Sequence, residues 1–100
     1  MEIIVAEQEG MVSLLIAGRL DGTSSGEFEK AVLPLASSGK ALVLDCKGLL
    51  YISSAGIRSI LMTARKVKAS GASFSVRGLS GPVRETFLQS GFGSLITLEG

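Results

Sequence analysis

The stretch Asp45-Cys46-Lys47-Gly48-Leu49-Leu50-Tyr51-Ile52-Ser53-Ser54-Ala55-Gly56-Ile57-Arg58 joins two different hydrophobic periods. Just before it, Ala41-Leu42-Val43-Leu44 is a continuous apolar run, the pattern of a central strand covered on both faces. After it, Ile57, Ile60, Leu61, Ala64 and Val67 recur at the spacing of one helix face. The change of period across Ser53-Ser54 predicts a strand-to-helix junction, with residues 48–52 as the lead-in. The other face of that helix carries Arg58, Arg65, Lys66 and Lys68, and Gly71 follows as a helix-ending glycine.

Upstream, residues 3–7 and Met11–Leu20 read as two strands joined at Gly10, close enough to form a hairpin. The polar stretch Asp21-Gly22-Thr23-Ser24-Ser25-Gly26 is rich in helix-capping residues. A helix over 27–37 follows, with Phe28, Ala31, Val32 and Leu35 on one face. Pro34 lies inside it and predicts a kink or an early end, because proline removes a backbone donor. Downstream, residues 73–77 alternate as a strand does. Ser80-Gly81-Pro82 then opens a helix with Val83, Phe87 and Leu88 facing inward and Gly91 as terminator. Residues 95–98 read as a last short strand. The order β-β-α-β-α-β-α-β predicts an α/β fold, a mixed sheet of about four or five strands with helices packed on it.

Bulk properties narrow the function. One hundred residues make one domain, 1–100, without room for separate substrate and cofactor domains. The 46% hydrophobic content excludes a disordered chain. A net charge of +1 gives no electrostatic reason to expect nucleic acid or an anionic membrane as partner. Cys46 is the single cysteine, which excludes an intramolecular disulfide and reads as a buried thiol. The opening Met1-Glu2-Ile3-Ile4-Val5 lacks a basic leader and a long apolar segment, so no membrane insertion and a cytoplasmic location are expected. The absence of a long exposed apolar segment predicts a monomer.

Against this background two short stretches match enzyme motifs. Gly22-Thr23-Ser24-Ser25-Gly26 matches a nucleophile elbow, but the chain has no histidine to serve Ser24 as base. A helix-capping loop is the preferred reading. Ser37 and Lys40 match a Ser-x-x-Lys pair, but Gly39 separates them where a helix should end. No Gly-Lys-Ser/Thr phosphate loop and no Gly-x-Gly-x-x-Gly is present, so no cofactor is expected. Glu7, Glu9, Asp21, Glu27, Glu29, Asp45, Glu85 and Glu99 show no catalytic pairing; Asp21 and Asp45 stand out because each is expected to end a strand.

The segment Asp45–Arg58 resembles the signature of the STAS family, and in particular of its anti-sigma-factor antagonists. In that signature a strand ending in Asp leads through a short apolar loop to a Ser-Ser-x-Gly-Leu/Ile helix start. Ala17-Gly18-Arg19-Leu20-Asp21 resembles the family's Gly-x-Leu-Asp, and Ser90-Gly91-Phe92 closes a similar strand-turn-helix unit. The three motifs and the element order cover essentially the whole chain. The resemblance implies a STAS-type single domain that binds a protein and is not an enzyme. It implies that Ser54 is phosphorylated by a partner that is both anti-sigma factor and serine kinase. Ser53 is the second choice, because several members have Asp where this chain has Ser53. A serine phosphatase would reset the switch, and the partner-binding residues would be Asp21, Thr23, Ser53, Ser54, Gly56 and Arg58.

The chemistry of such a site stands apart from the resemblance. A helix that begins near Ser54 has unpaired N–H groups and a positive dipole end, so this chain would tolerate a phosphate there. A partner docked on it would meet roughly −1.5 to −2 extra charges. Two other readings compete: a STAS scaffold or accessory module of a signalling or membrane transport complex, not phosphorylated, and a small hydrolase built on Ser24.

Overall fold

The computed structural model describes residues 1–91 and 96–99. Eight elements follow in the expected order: β1 Glu2–Gln8, β2 Met11–Leu20, α1 Ser25–Ala36, β3 Ala41–Ile52, α2 Ser54–Ala69, β4 Phe74–Arg77, α3 Gly81–Gln89 and β5 Thr97–Glu99. The strands form one mixed sheet in the order β1-β2-β3-β4-β5. β1 and β2 are an antiparallel hairpin, and the remaining neighbours pair parallel through helical crossovers. Leu95, expected to open the last strand, and Phe92 lie outside the described residues.

Period-two alternation selects the core face. Val12, Leu14 and Ile16 of β2, Leu42, Leu44 and Cys46 of β3, and Phe74 and Val76 of β4 meet Phe28, Val32 and Ala36 of α1, Ile57, Ile60, Ala64 and Val67 of α2, and Val83 and Phe87 of α3. The expectation that β3 is covered on both faces holds for burial, since residues 42–46 are all buried, but helices cover only one face. Residues of the other parity, Ser13, Leu15, Asp45 and Arg77, line an open concavity with Ile4, Ala6 and Gln8 instead of a second helical layer. Val43 and Asp45 are nevertheless buried, screened by the neighbouring strands.

Three further expectations are revised. α1 runs through Pro34 to Ala36, because the buried Ala36 holds the last residues against the core. Leu88 is exposed, since a helix of nine residues needs only Val83 and Phe87 to cover its strip of sheet. β3 does not end at Asp45 but continues to Ile52. Asp45 is a mid-strand carboxylate whose Oδ1 accepts from Lys47 N at 3.0 Å and whose Oδ2 lies 3.5 Å from Arg77 Nε.

The extension of β3 is irregular. Leu15 and Ala17 face Asp45 and Gly48, and Gly18 and Arg19 face Leu49 and Tyr51. Each irregularity places one more residue on β3 than on β2, as a β-bulge does. The core positions of β3 therefore shift from Leu42, Leu44 and Cys46 to Leu49 and Ile52, while Leu50 and Tyr51 turn outward. Leu50 is 79% exposed in consequence.

Burial pushes the Cys46 thiol up to about 12, with Asp45 contributing in the same direction. At pH 8 the group is a shielded, protonated thiol, so a disulfide reagent should reach it only through unfolding. We expect labelling of the native protein to be at least about a hundredfold slower than in denaturant. Comparable rates in the two conditions would show that Cys46 is not in the core.

Candidate functional site

The ends of β2 and β3 lie side by side, Leu20 opposite Ile52, and Ser53 N donates to the Leu20 carbonyl at 3.0 Å. This juxtaposition brings the 21–24 turn and the start of α2 to one end of the sheet. Ser53 is the N-cap of α2, with extended backbone and an Oγ that accepts from Gly56 N at 3.3 Å. Its carbonyl accepts the first helical bond, from Ile57 N at 2.9 Å. Ser54 is the first helical residue and is exposed. The two serines thus have different tasks: Ser53 closes the helix end, and Ser54 presents its hydroxyl to solvent.

Gly56, expected among the partner-binding residues, is buried. An added Cβ there would stand 2.6 Å from the Leu20 carbonyl oxygen, 2.8 Å from Leu20 Cγ and 3.0 Å from Ile52 Cγ1. The glycine lets the first turn of α2 rest directly on the strand ends, which is a packing task.

Asp21 organises the adjoining turn. Its Oδ1 accepts from Thr23 Oγ1 at 2.7 Å, from Thr23 N at 3.0 Å and from Ser24 N at 3.3 Å. The Thr23 hydroxyl, helped by backbone donors of Thr23 and Ser24, holds the Asp21 carboxyl below its ordinary range. Ser24 occupies the N-cap position of α1 but its side chain caps nothing. Its Oγ instead donates to the Arg19 carbonyl at 2.7 Å and accepts from Asp21 N at 3.0 Å, so the loop closes on itself. The hydroxyl also lies 3.3 Å from Asp21 Oδ1, but that carboxylate is held below its ordinary range and already accepts from Thr23, which makes it a weak base for a nucleophile.

Arg19 and Tyr51 were not expected at the site. The Arg19 guanidinium lies 4.1 Å from the centre of the Tyr51 ring, and its Nε is 3.5 Å from Asp21 Oδ2. The sequence signal was hidden, because Leu49-Leu50-Tyr51-Ile52 reads as a uniform apolar run until the bulges sort it. On the other side of Ser54, α1 and α2 leave a groove of about 230 Å3 lined by Ser25, Glu29, Ala55, Arg58, Ser59 and Met62. Across it, buried Ser59 donates to Glu29 Oε2 at 2.6 Å. Arg58 is exposed at the groove, as expected. The turn at the sheet end thus brings Arg19, Asp21, Thr23 and Tyr51 together, Ser54 starts the adjoining helix, and the α1–α2 groove beside it adds Arg58 and Met62. Aromatic, methionine and arginine side chains are the kinds enriched in protein interfaces.

Gly56→Ala should destabilise the protein by about 1–3 kcal/mol, since the helix-propensity gain of at most about 1 kcal/mol cannot offset a methyl driven into a backbone oxygen. Urea unfolding checks it, and an unchanged or raised midpoint would show that α2 does not depend on this close approach.

The comparisons with known proteins agree with this architecture. The Bordetella bronchiseptica protein named "Putative anti-sigma factor antagonist BtrV" is 29% identical over 95% of this chain and 83% of its own length. The anti-sigma-B factor antagonist of Bacillus subtilis is 26% identical over 98% of this chain and 90% of its own. Among solved structures, the anti-sigma factor antagonist SpoIIAA is similar in its unphosphorylated form, with TM-score 0.76, 16% identity and coverage of 99% of this chain and 88% of that one. The phosphorylated form of the Bacillus protein gives 0.74 and 17%, over 99% and 92%. A part of the murine anion transporter Slc26a9 gives 0.78 and 17%, over 93% of this chain and 16% of the transporter. The family model described as "Mlab, STAS domain" matches residues 3–97. The chain belongs to the STAS domain family.

Proposed function

We propose that this protein is an anti-sigma-factor antagonist of the partner-switching kind. Its unphosphorylated form binds an anti-sigma factor that is also a serine kinase and so releases the sigma factor. Phosphorylation of Ser54 ends that binding, and a serine phosphatase restores it. The observation that carries the reading is the division of labour at the start of α2. Ser53 is engaged by Gly56 N, and Ser54 is exposed at the first helical position. A kinase can reach Ser54 without undoing the cap, whereas modification of Ser53 would remove it.

The names of the two curated relatives support the antagonist role. The similar TM-scores to both forms of SpoIIAA, 0.76 and 0.74, support a switch that leaves the fold in place. The switch needs only local electrostatics. The helix start accepts the phosphate, while a partner seated on Tyr51, Arg58 and Met62 meets new charge at the centre of its footprint. A penalty of about 1.4 kcal/mol lowers affinity tenfold. In this reading the protein is a cytoplasmic monomer, one domain over its 100 residues, and performs no catalysis.

A second reading has its own observation. The fold also serves as a small part of an anion transporter, and the matching family model is described as Mlab. As an accessory module, this chain would bind its partner through the same end of the sheet without modification of Ser54.

Incubation with candidate anti-sigma kinases and ATP, followed by intact-mass measurement, separates the two. One phosphate on the wild type and none on Ser54→Ala is expected. Ser54→Glu should weaken binding to the same kinase about tenfold or more, while Ser54→Ala keeps it. A phosphate that persists in Ser54→Ala would move the site to another residue. Kinase binding without phosphate transfer would favour the accessory reading.

A further inference from the structure

Resting on the assignment of Ser54 as the modified residue, we propose that Arg58 is the built-in receiver of the phosphate. The phosphoserine folds onto the Arg58 guanidinium one turn along α2 and draws it out of the α1–α2 groove.

The geometry points there from three directions. Ser54 and Arg58 stand at i and i+4 of the same helix, both exposed, on one face. Helical side chains tilt toward the N-terminus, so a long side chain at residue 58 covers the turn that begins with Ser54. An anion placed four residues before a cation is also the favourable order for such a pair.

Arg58 is available for this task and its neighbours are not. Among the described residues it has no ion pair: the four bridges are Arg19–Asp21, Lys40–Glu7, Lys47–Asp45 and Arg77–Asp45. The carboxylate across the groove, Glu29, receives the Ser59 hydroxyl. Asp21 is held by Thr23, Ser24 and Arg19, and Arg19 is further occupied by Tyr51. A phosphate on Ser54 therefore finds one uncommitted guanidinium in the adjoining groove, together with the first N–H groups of α2.

The consequence is a switch with two parts. Arg58 lines the groove with Ser25, Glu29, Ala55, Ser59 and Met62. When it turns to the phosphate, a partner that used Arg58 loses that contact while it meets the added charge. The modification acts at residue 54 and is read in the groove at residue 58.

The test needs no native kinase. Phosphoserine is installed at position 54 during synthesis, in the wild-type chain and in Arg58→Gln and Arg65→Gln, and the phosphate is titrated by 31P NMR. A nearby cation favours the dianion, so Arg58 lowers the second ionisation, and its removal raises it. Arg58→Gln is expected to raise that pKa by roughly 0.3–0.7 unit at low salt, and Arg65→Gln, two turns further on, by less than about 0.1 unit. Equal titration of wild type and Arg58→Gln would overturn the pairing, as would equal shifts in the two variants, which would report only net charge. If no kinase modifies Ser54, the proposed function fails while this titration still reads; if the titrations coincide, the pairing fails and the switch at Ser54 stands.

Discussion

The hydrogen bond from Ser53 N to the Leu20 carbonyl is the constraint on which the rest of this molecule depends. It ties the last residue of β2 to the residue that caps α2. Gly56 makes the arrangement sterically feasible, since any side chain there would strike the same carbonyl. A helix packed this closely on two strand ends has little freedom to tilt, so its first residue is presented to solvent at a fixed angle. The rigidity of the site comes from the sheet, and the accessible hydroxyl comes from the helix.

The bulges of β3 serve the same end. A regular strand of that length would have turned Leu50 toward the core and kept Leu49 and Ile52 from sharing a face. Two extra residues shift the alternation, bury Leu49 and Ile52, and expose Leu50 and Tyr51 beside Arg19. Tyr51 owes its place over the turn at Asp21 to this shift. The open sheet face with its buried Asp45 is less simply explained by function. The carboxylate satisfies Lys47 N at the first bulge and meets Arg77 on β4, so its visible task is to hold the irregular strand in place.

Polar residues around the site are partnered in a graded way. Asp21, Thr23, Ser24 and Arg19 form a closed local network, and Ser59 and Glu29 bridge the two helices in the groove. Such networks resist rearrangement because each group lost would leave another unsatisfied. Ser54 and Arg58 stand outside both networks. Both are exposed in the first turns of α2, so a change at either leaves the two networks and the folded core as they are.

Much of this was legible in the residues themselves. The order of elements, the inward faces of β2 and α2, the helix start at Ser53-Ser54 and the glycines that end the helices follow from period, capping and turn chemistry, which act over a few neighbours in the chain. The tertiary structure alone decided the matters that depend on what stands opposite. It placed Asp45 within a strand, because pairing with β2 carries β3 beyond the residue where local pattern would stop it. It turned Tyr51 and Leu50 outward, because a bulge is a property of two strands and not of one. It assigned Gly56 to packing, because its need arises from Leu20, thirty-six positions away in the chain. It separated Ser53 from Ser54, since which serine caps and which faces solvent is set by where the strand delivers the helix.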